Sequence, residues 1–109
     1  MTYAQYRVLK AVETNPALSQ RELAEQLGIS LGKTNYCIRA LLDKGWVKAS
    51  NFRNSHNKRA YMYQLTPKGI DGKARLAMNF LRHKSAEFDA LKKELAELYK
   101  DVNRLNGAD

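Results

Sequence analysis

The feature that most constrains this chain is an apolar stripe near its C-terminus whose steps alternate between four residues and three. Ile70, Ala74, Ala77, Leu81, Phe88, Leu91, Leu95, Leu98, Val102 and Leu105 fall on it, with Lys84 its single polar member. That is the heptad pattern of a helix presenting one seam to another helix. A helix over 67–105 would be ~58 Å long at about 1.5 Å per residue. The chain has 109 residues in all, so what remains is too small to cover the whole seam. The expectation is a dimer formed by paired copies of this helix, in either orientation. Thr66 and Pro67 suit its start, a capping hydroxyl followed by a proline at the first helical position. Asn106-Gly107 suits its end. Lys84 either snorkels its ammonium to water or fixes the register of the pair.

Upstream lies a second pattern, SQRELAEQLGISLGKTNYCIRALLDKGWV, over 19–47. Ser19 and Glu22 form a capping box, so a short helix begins there, with Leu23 and Leu27 on one face and Ala24 small enough for close crossing. Gly28 can take the left-handed conformation that ends it. Ile29 then plugs the corner, and Ser30 caps a second helix with an inner face of Thr34, Cys37, Ile38 and Leu41, ending near Gly45. At 100° per residue the opposite face carries Gly32, Tyr36 and Arg39, flanked by Lys33 and Asn35. These are DNA-reading residue types. Arg pairs bidentately with guanine, Asn with adenine, and Lys with phosphate, while Gly32 allows close approach. An ordinary solvated helix face is the competing reading, and the ordered set Ala24, Gly28, Ile29, Ser30 favours a recognition helix. The candidate DNA contacts are therefore Ser30, Gly32, Lys33, Asn35, Tyr36 and Arg39 on this helix, with Ser19, Gln20 and Arg21 at the positive end of the preceding one as phosphate contacts.

The flanking segments complete a small domain. Residues 3–14 predict a first helix packed through Val8, Leu9 and Val12 and stopped by Asn15-Pro16. Residues 46–52 and 60–65 predict two strands, with Tyr61, Tyr63 and Leu65 sharing a face and serving the core or sheet surface. The basic loop between them makes Arg53, Lys58 and Arg59 the candidate wing, lying along phosphates or entering a narrow minor groove. Lys48 adds charge nearby. His56 reads as a surface loop residue. The predicted fold is mainly α with a small β-hairpin, a winged helix-turn-helix over 1–66 followed by a long C-terminal dimerisation helix over 67–109.

The run SQRELAEQLGIS, then Thr34, Ile38, Leu41, the KGWV ending at Val47 and LTPKG at 65–69, resembles the winged helix-turn-helix of MarR-type regulators. The whole chain, and LGKTNYCIRALLDKGWVK in particular, resembles the exopolysaccharide (EPS)-associated MarR subfamily over residues 3–105. The resemblance implies a homodimeric transcriptional regulator, a repressor rather than an activator, with a wing arginine near Arg59. Many members of that family bind small effectors between the DNA-binding part and a larger helical region, for which this chain is short, so its effector is unknown. Some relatives use cysteine switches, yet Cys37 sits on the inner helix face and is expected to serve as a small buried hydrophobe.

Composition agrees with a polyanionic partner. Lys and Arg number 19 against 11 Asp and Glu. Between Gly28 and Thr66, seven basic residues accompany only Asp43, whereas the tail from Pro67 holds nine basic and seven acidic. No stretch approaches the ~20 apolar residues of a membrane span and no secretory signal core begins the chain, so a cytoplasmic protein is expected. Cys37, His56 and His83 lack zinc-ligand spacing, and no metal or cofactor is expected. No nucleophile with a base, paired-carboxylate site or phosphate loop can be assembled, which argues against an enzyme. The expected partner is double-stranded DNA, read as an inverted repeat by a homodimer. A winged module that binds protein without reading DNA is the alternative, since fold alone never fixes function.

Overall fold

The computed structural model describes residues 1–53 and 59–107, and the side chains of 51–53 and 59–61 lie outside that description. The elements run α1 (Tyr3–Thr14), α2 (Gln20–Leu27), α3 (Leu31–Asp43), β1 (Val47–Arg53), β2 (Arg59–Leu65) and α4 (Pro67–Leu105). Residues 1–77 form one compact unit and 78–109 a second. No helix among the described residues is long and apolar enough to cross a membrane.

Local chemistry sets the helix ends. Thr2 and Gln5 form a capping box at α1, and Asn15, ahead of Pro16, is held extended at φ −143°. Ser19 and Glu22 form the expected box at α2, and Gly28 ends that helix at φ 67°. The Ser30 hydroxyl accepts the Lys33 N–H at the start of α3. At its far end Gly45, at φ 71°, lets the Trp46 N–H reach back to the Leu41 carbonyl at 3.0 Å. Three helices then share one core. Val8, Leu9 and Val12 of α1, Leu23 of α2, and Cys37, Ile38 and Leu41 of α3 are buried together with Val47 and Tyr63 of the hairpin. Buried Thr34 satisfies its hydroxyl by donating to the Ser30 carbonyl at 3.0 Å. The strands pair antiparallel, with Val47 opposite Leu65 and Ala49 opposite Tyr63, so Val47 and Tyr63 come from the face turned to the helices.

The start of α4 belongs to this first unit through contacts the heptad pattern does not announce. Gly69 and Gly72 are buried against Trp46. A Cβ on Gly69 would fall on the Trp46 carbonyl group, 2.8 Å from its carbon, and one on Gly72 would meet the indole 2.6 Å from Cζ2 and Cζ3. The Thr66 N–H donates to the same Trp46 carbonyl at 3.0 Å, and Thr66 Oγ1 accepts the Gly69 N–H at 3.1 Å as the cap of α4. Lys73 pairs with Glu13 of α1. In residues 78–105 the seam side chains are exposed, Leu81 at 67%, Phe88 at 60%, Leu91 at 52% and Leu98 at 58%, a density of apolar surface unusual for an isolated helix.

These contacts make a stability prediction. Gly69→Ala should destabilise the fold by about 2–3 kcal/mol, because the added methyl meets fixed backbone. Gly72→Ala should cost less and be partly rescued by trimming the indole in Gly72→Ala/Trp46→Leu, a coupling that a denaturation double-mutant cycle would read directly. Additive losses in that cycle would contradict the contact.

Candidate nucleic-acid interface

The inner face of α3 is Thr34, Cys37, Ile38 and Leu41, all buried, which fixes the rotation of the helix about its own axis. The outer face follows from that rotation. Lys33, Asn35, Tyr36 and Arg39 are exposed, Tyr36 at 68%, and Asn35, Tyr36 and Arg39 line one open concavity that Ala40 and Asp43 complete. Gly32 has nothing within 4 Å of where a Cβ would stand, so its smoothness is toward solvent and not toward the core. The sequence-predicted reading residues are thus brought together on one surface.

The residues proposed at the front of α2 divide. Arg21 is exposed, and Ser19 spends its oxygen on the Glu22 N–H while keeping a hydroxyl proton to donate. Gln20 is half-buried, and its amide is engaged on both sides. Asn35 Nδ2 donates to Gln20 Oε1 at 3.1 Å, and Gln20 Nε2 donates to the Tyr63 hydroxyl at 3.1 Å. Ser30 caps α3, again with a hydroxyl proton to spare. Lys48 is exposed on β1. Of the wing, Lys58 and His56 lie outside the described residues, as do the side chains of Arg53, Arg59 and Tyr61; the backbones of Arg53 and Arg59 face each other as the last pair of the hairpin.

Leu31 is a residue that the sequence reading passed over. It is 45% exposed at the first position of α3, four residues before Asn35 and on the same flank. An apolar side chain there suits a thymine methyl. The signal was available, since a leucine off the buried stripe of an amphipathic helix has to face outward.

Cys37 is 1% exposed. Burial pushes its thiol upward from the ordinary value, and the charge of Lys33 opposes this to a smaller extent. A thiol held protonated and out of reach is a poor nucleophile.

The geometry matches known proteins. Residues 1–48 match a family model described as winged helix-turn-helix DNA-binding. No curated protein matches the sequence. Among solved structures, the PcaV transcriptional regulator of Streptomyces coelicolor, in complex with its natural ligand, is similar over 99% of this chain and 76% of its own, at 24% identity and a TM-score of 0.69. The reduced form of MarR from E. coli is 30% identical over 65% of this chain and 51% of its own, with a TM-score of 0.54. FabT of Streptococcus pneumoniae, in complex with DNA, is 19% identical over 96% of this chain and 78% of its own, with a TM-score of 0.57. The fold is therefore a winged helix-turn-helix, mainly helical with a two-stranded hairpin and a long last helix, shared with regulators of the MarR kind.

The thiol yields a pH prediction. Because its folded value lies above its unfolded one, the neutral thiol supports the fold at neutral pH, and that contribution is lost as pH rises through the alkaline thiol range. Stability of the wild type should fall more steeply there than that of Cys37→Ala. A thiol reagent at neutral pH should modify Cys37 only as fast as the fold opens, and rapid native-state labelling would refute this placement.

Proposed function

We propose that the protein is a sequence-specific DNA-binding transcriptional regulator of MarR type, a homodimer that represses by occupying a promoter. The observation that carries this reading is the outward face of α3, where Lys33, Asn35, Tyr36 and Arg39 are exposed together on a helix whose inner face is fully buried. In this reading residues 1–66 are the DNA-binding domain and α3 enters the major groove, with Arg39 and Asn35 addressing base edges. Ser19, Arg21, Lys33 and Lys48 hold phosphate, and the wing residues Arg53, Lys58 and Arg59 lie along the minor groove. It acts in the cytoplasm, and the subfamily resemblance makes exopolysaccharide genes the first targets to examine.

Residues 67–109 form the dimerisation part in this reading, the partner being a second copy laid along the exposed seam. Charge pattern supports parallel pairing. With Leu81, Phe88, Leu95 and Val102 at one core position of the heptad and Leu91, Leu98 and Leu105 at the other, the flanking positions carry Glu87, Glu94 and Asp101 on one side and Lys92, Tyr99 and Asn106 on the other. Parallel, in-register helices bring one side against the other, five residues apart along the chain. Each acid then meets a donor, Glu87 with Lys92, Glu94 with Tyr99 and Asp101 with Asn106 of the second copy. Antiparallel helices instead set each side against itself, opposing acid to acid.

Selection from a random duplex library should enrich an inverted repeat, with binding that weakens steeply as salt rises. Arg39→Ala should reduce discrimination between the selected site and scrambled DNA by about 1–3 kcal/mol, whereas Lys58→Ala should weaken both alike. No enrichment together with salt-independent binding would make this a protein-binding module instead. For the dimer, Leu105→Cys should form an intersubunit disulfide under mild oxidation while wild type, whose lone Cys37 is buried, does not. A dimer by sedimentation that fails to cross-link at 105 would overturn parallel pairing, and a monomer would overturn the dimer.

A further inference from the structure

We infer that Gln20 and Tyr63 are positioning residues that set the base-reading edge of Asn35. The inference rests on α3 reading DNA as proposed above. An exposed asparagine on a helix can turn its amide either way, and the two orientations present opposite patterns of donor and acceptor to a base. Here the choice is coupled to the core. Tyr63 is 4% exposed, packs in the hydrophobic cluster, and donates its backbone N–H to the Pro16 carbonyl at 3.1 Å. Its hydroxyl is therefore a fixed point. Gln20 Nε2 donates to that hydroxyl, which turns Gln20 Oε1 toward α3, and Oε1 accepts from Asn35 Nδ2. Two hydrogen bonds of 3.1 Å couple the two amides and join α2, α3 and β2, so Asn35 cannot turn its amide over without Gln20 turning as well.

That orientation leaves Asn35 a usable edge. A primary amide has two N–H groups, and one is given to Gln20. The second N–H and Oδ1 remain, the donor and acceptor pair that matches N7 and the N6 amino group of adenine. Gln20 is thereby assigned to aim a neighbouring base contact. Tyr63 takes part through its hydroxyl alone, since its ring serves the core.

The test uses the full chain and the duplex that wild type selects from a random library, with every single base-pair variant of that duplex. Asn35→Ala identifies the base pair it reads as the position where discrimination collapses. Tyr63→Phe, which keeps the ring, should lose discrimination at that same base pair by about fivefold, the worth of one net hydrogen bond. Discrimination elsewhere and affinity for scrambled duplex should stay unchanged, while the melting temperature falls only by the few degrees that one lost hydrogen bond is worth. Gln20→Ala should give the same position-specific loss. Undiminished discrimination at that base pair in both variants would overturn the assignment, as would a uniform loss at all positions, which marks a merely structural role. Failure of wild type to select any sequence would instead overturn the DNA-reading function, and this inference with it.

Discussion

The seating of Trp46 holds the first unit together. Its N–H closes the end of α3 on the Leu41 carbonyl, its carbonyl accepts the Thr66 N–H, and its indole lies against Gly72. One residue therefore joins α3, both ends of the hairpin and the start of α4. Lys44 adds a cation over the ring, 5.8 Å from its centroid, which covers the indole with charge and not with further core. The helical glycines are the counterpart of this arrangement. Glycine in a helix interior costs about 1 kcal/mol relative to alanine, and α4 carries two within its first two turns because only they admit the tryptophan.

From that frame the outer face of α3 follows with little freedom. Four buried side chains fix how α3 is rotated, and the Ser30 cap fixes where it begins. What remains on the outside is what the duplex would meet. The same rotation places Cys37, the chain's single cysteine, in one cluster with Leu9, Leu23 and Ile38, where it packs as a small hydrophobe.

Much of this was legible in the sequence, because helix ends and buried stripes are short-range properties. The Ser19 to Glu22 box, the left-handed Gly28, the Ser30 cap and the Thr34, Cys37, Ile38, Leu41 stripe each need only a few consecutive residues to be recognised, and the structure has all of them. The contacts that the sequence does not announce are of another kind. Gln20 meets Asn35 across 15 residues and Tyr63 across 43, and Trp46 meets Gly69 and Gly72 from the other side of the hairpin. Nothing local marks such pairs. The place of Gln20 at a helix N-terminus marks it as a candidate phosphate contact, whereas its amide partners emerge only where the strand returns beside it.

The glycines also explain how α4 can serve two purposes. At 100° per residue, Gly69, Gly72 and Lys73 lie on one flank of the helix, while Ile70, Ala74 and Ala77 lie on another, about 120° away. The first flank is closed by Trp46 and Glu13, whereas Ile70, on the second, stays 56% exposed despite its size. Packing within the first unit thus leaves Ile70 and Ala74 exposed. A second copy could engage Ile70 and Ala74 without displacing the contacts of Trp46 and Glu13, because the two sets use different sides of the same helix. Small residues do this on both flanks, glycine where the indole must come close and alanine where a partner helix would.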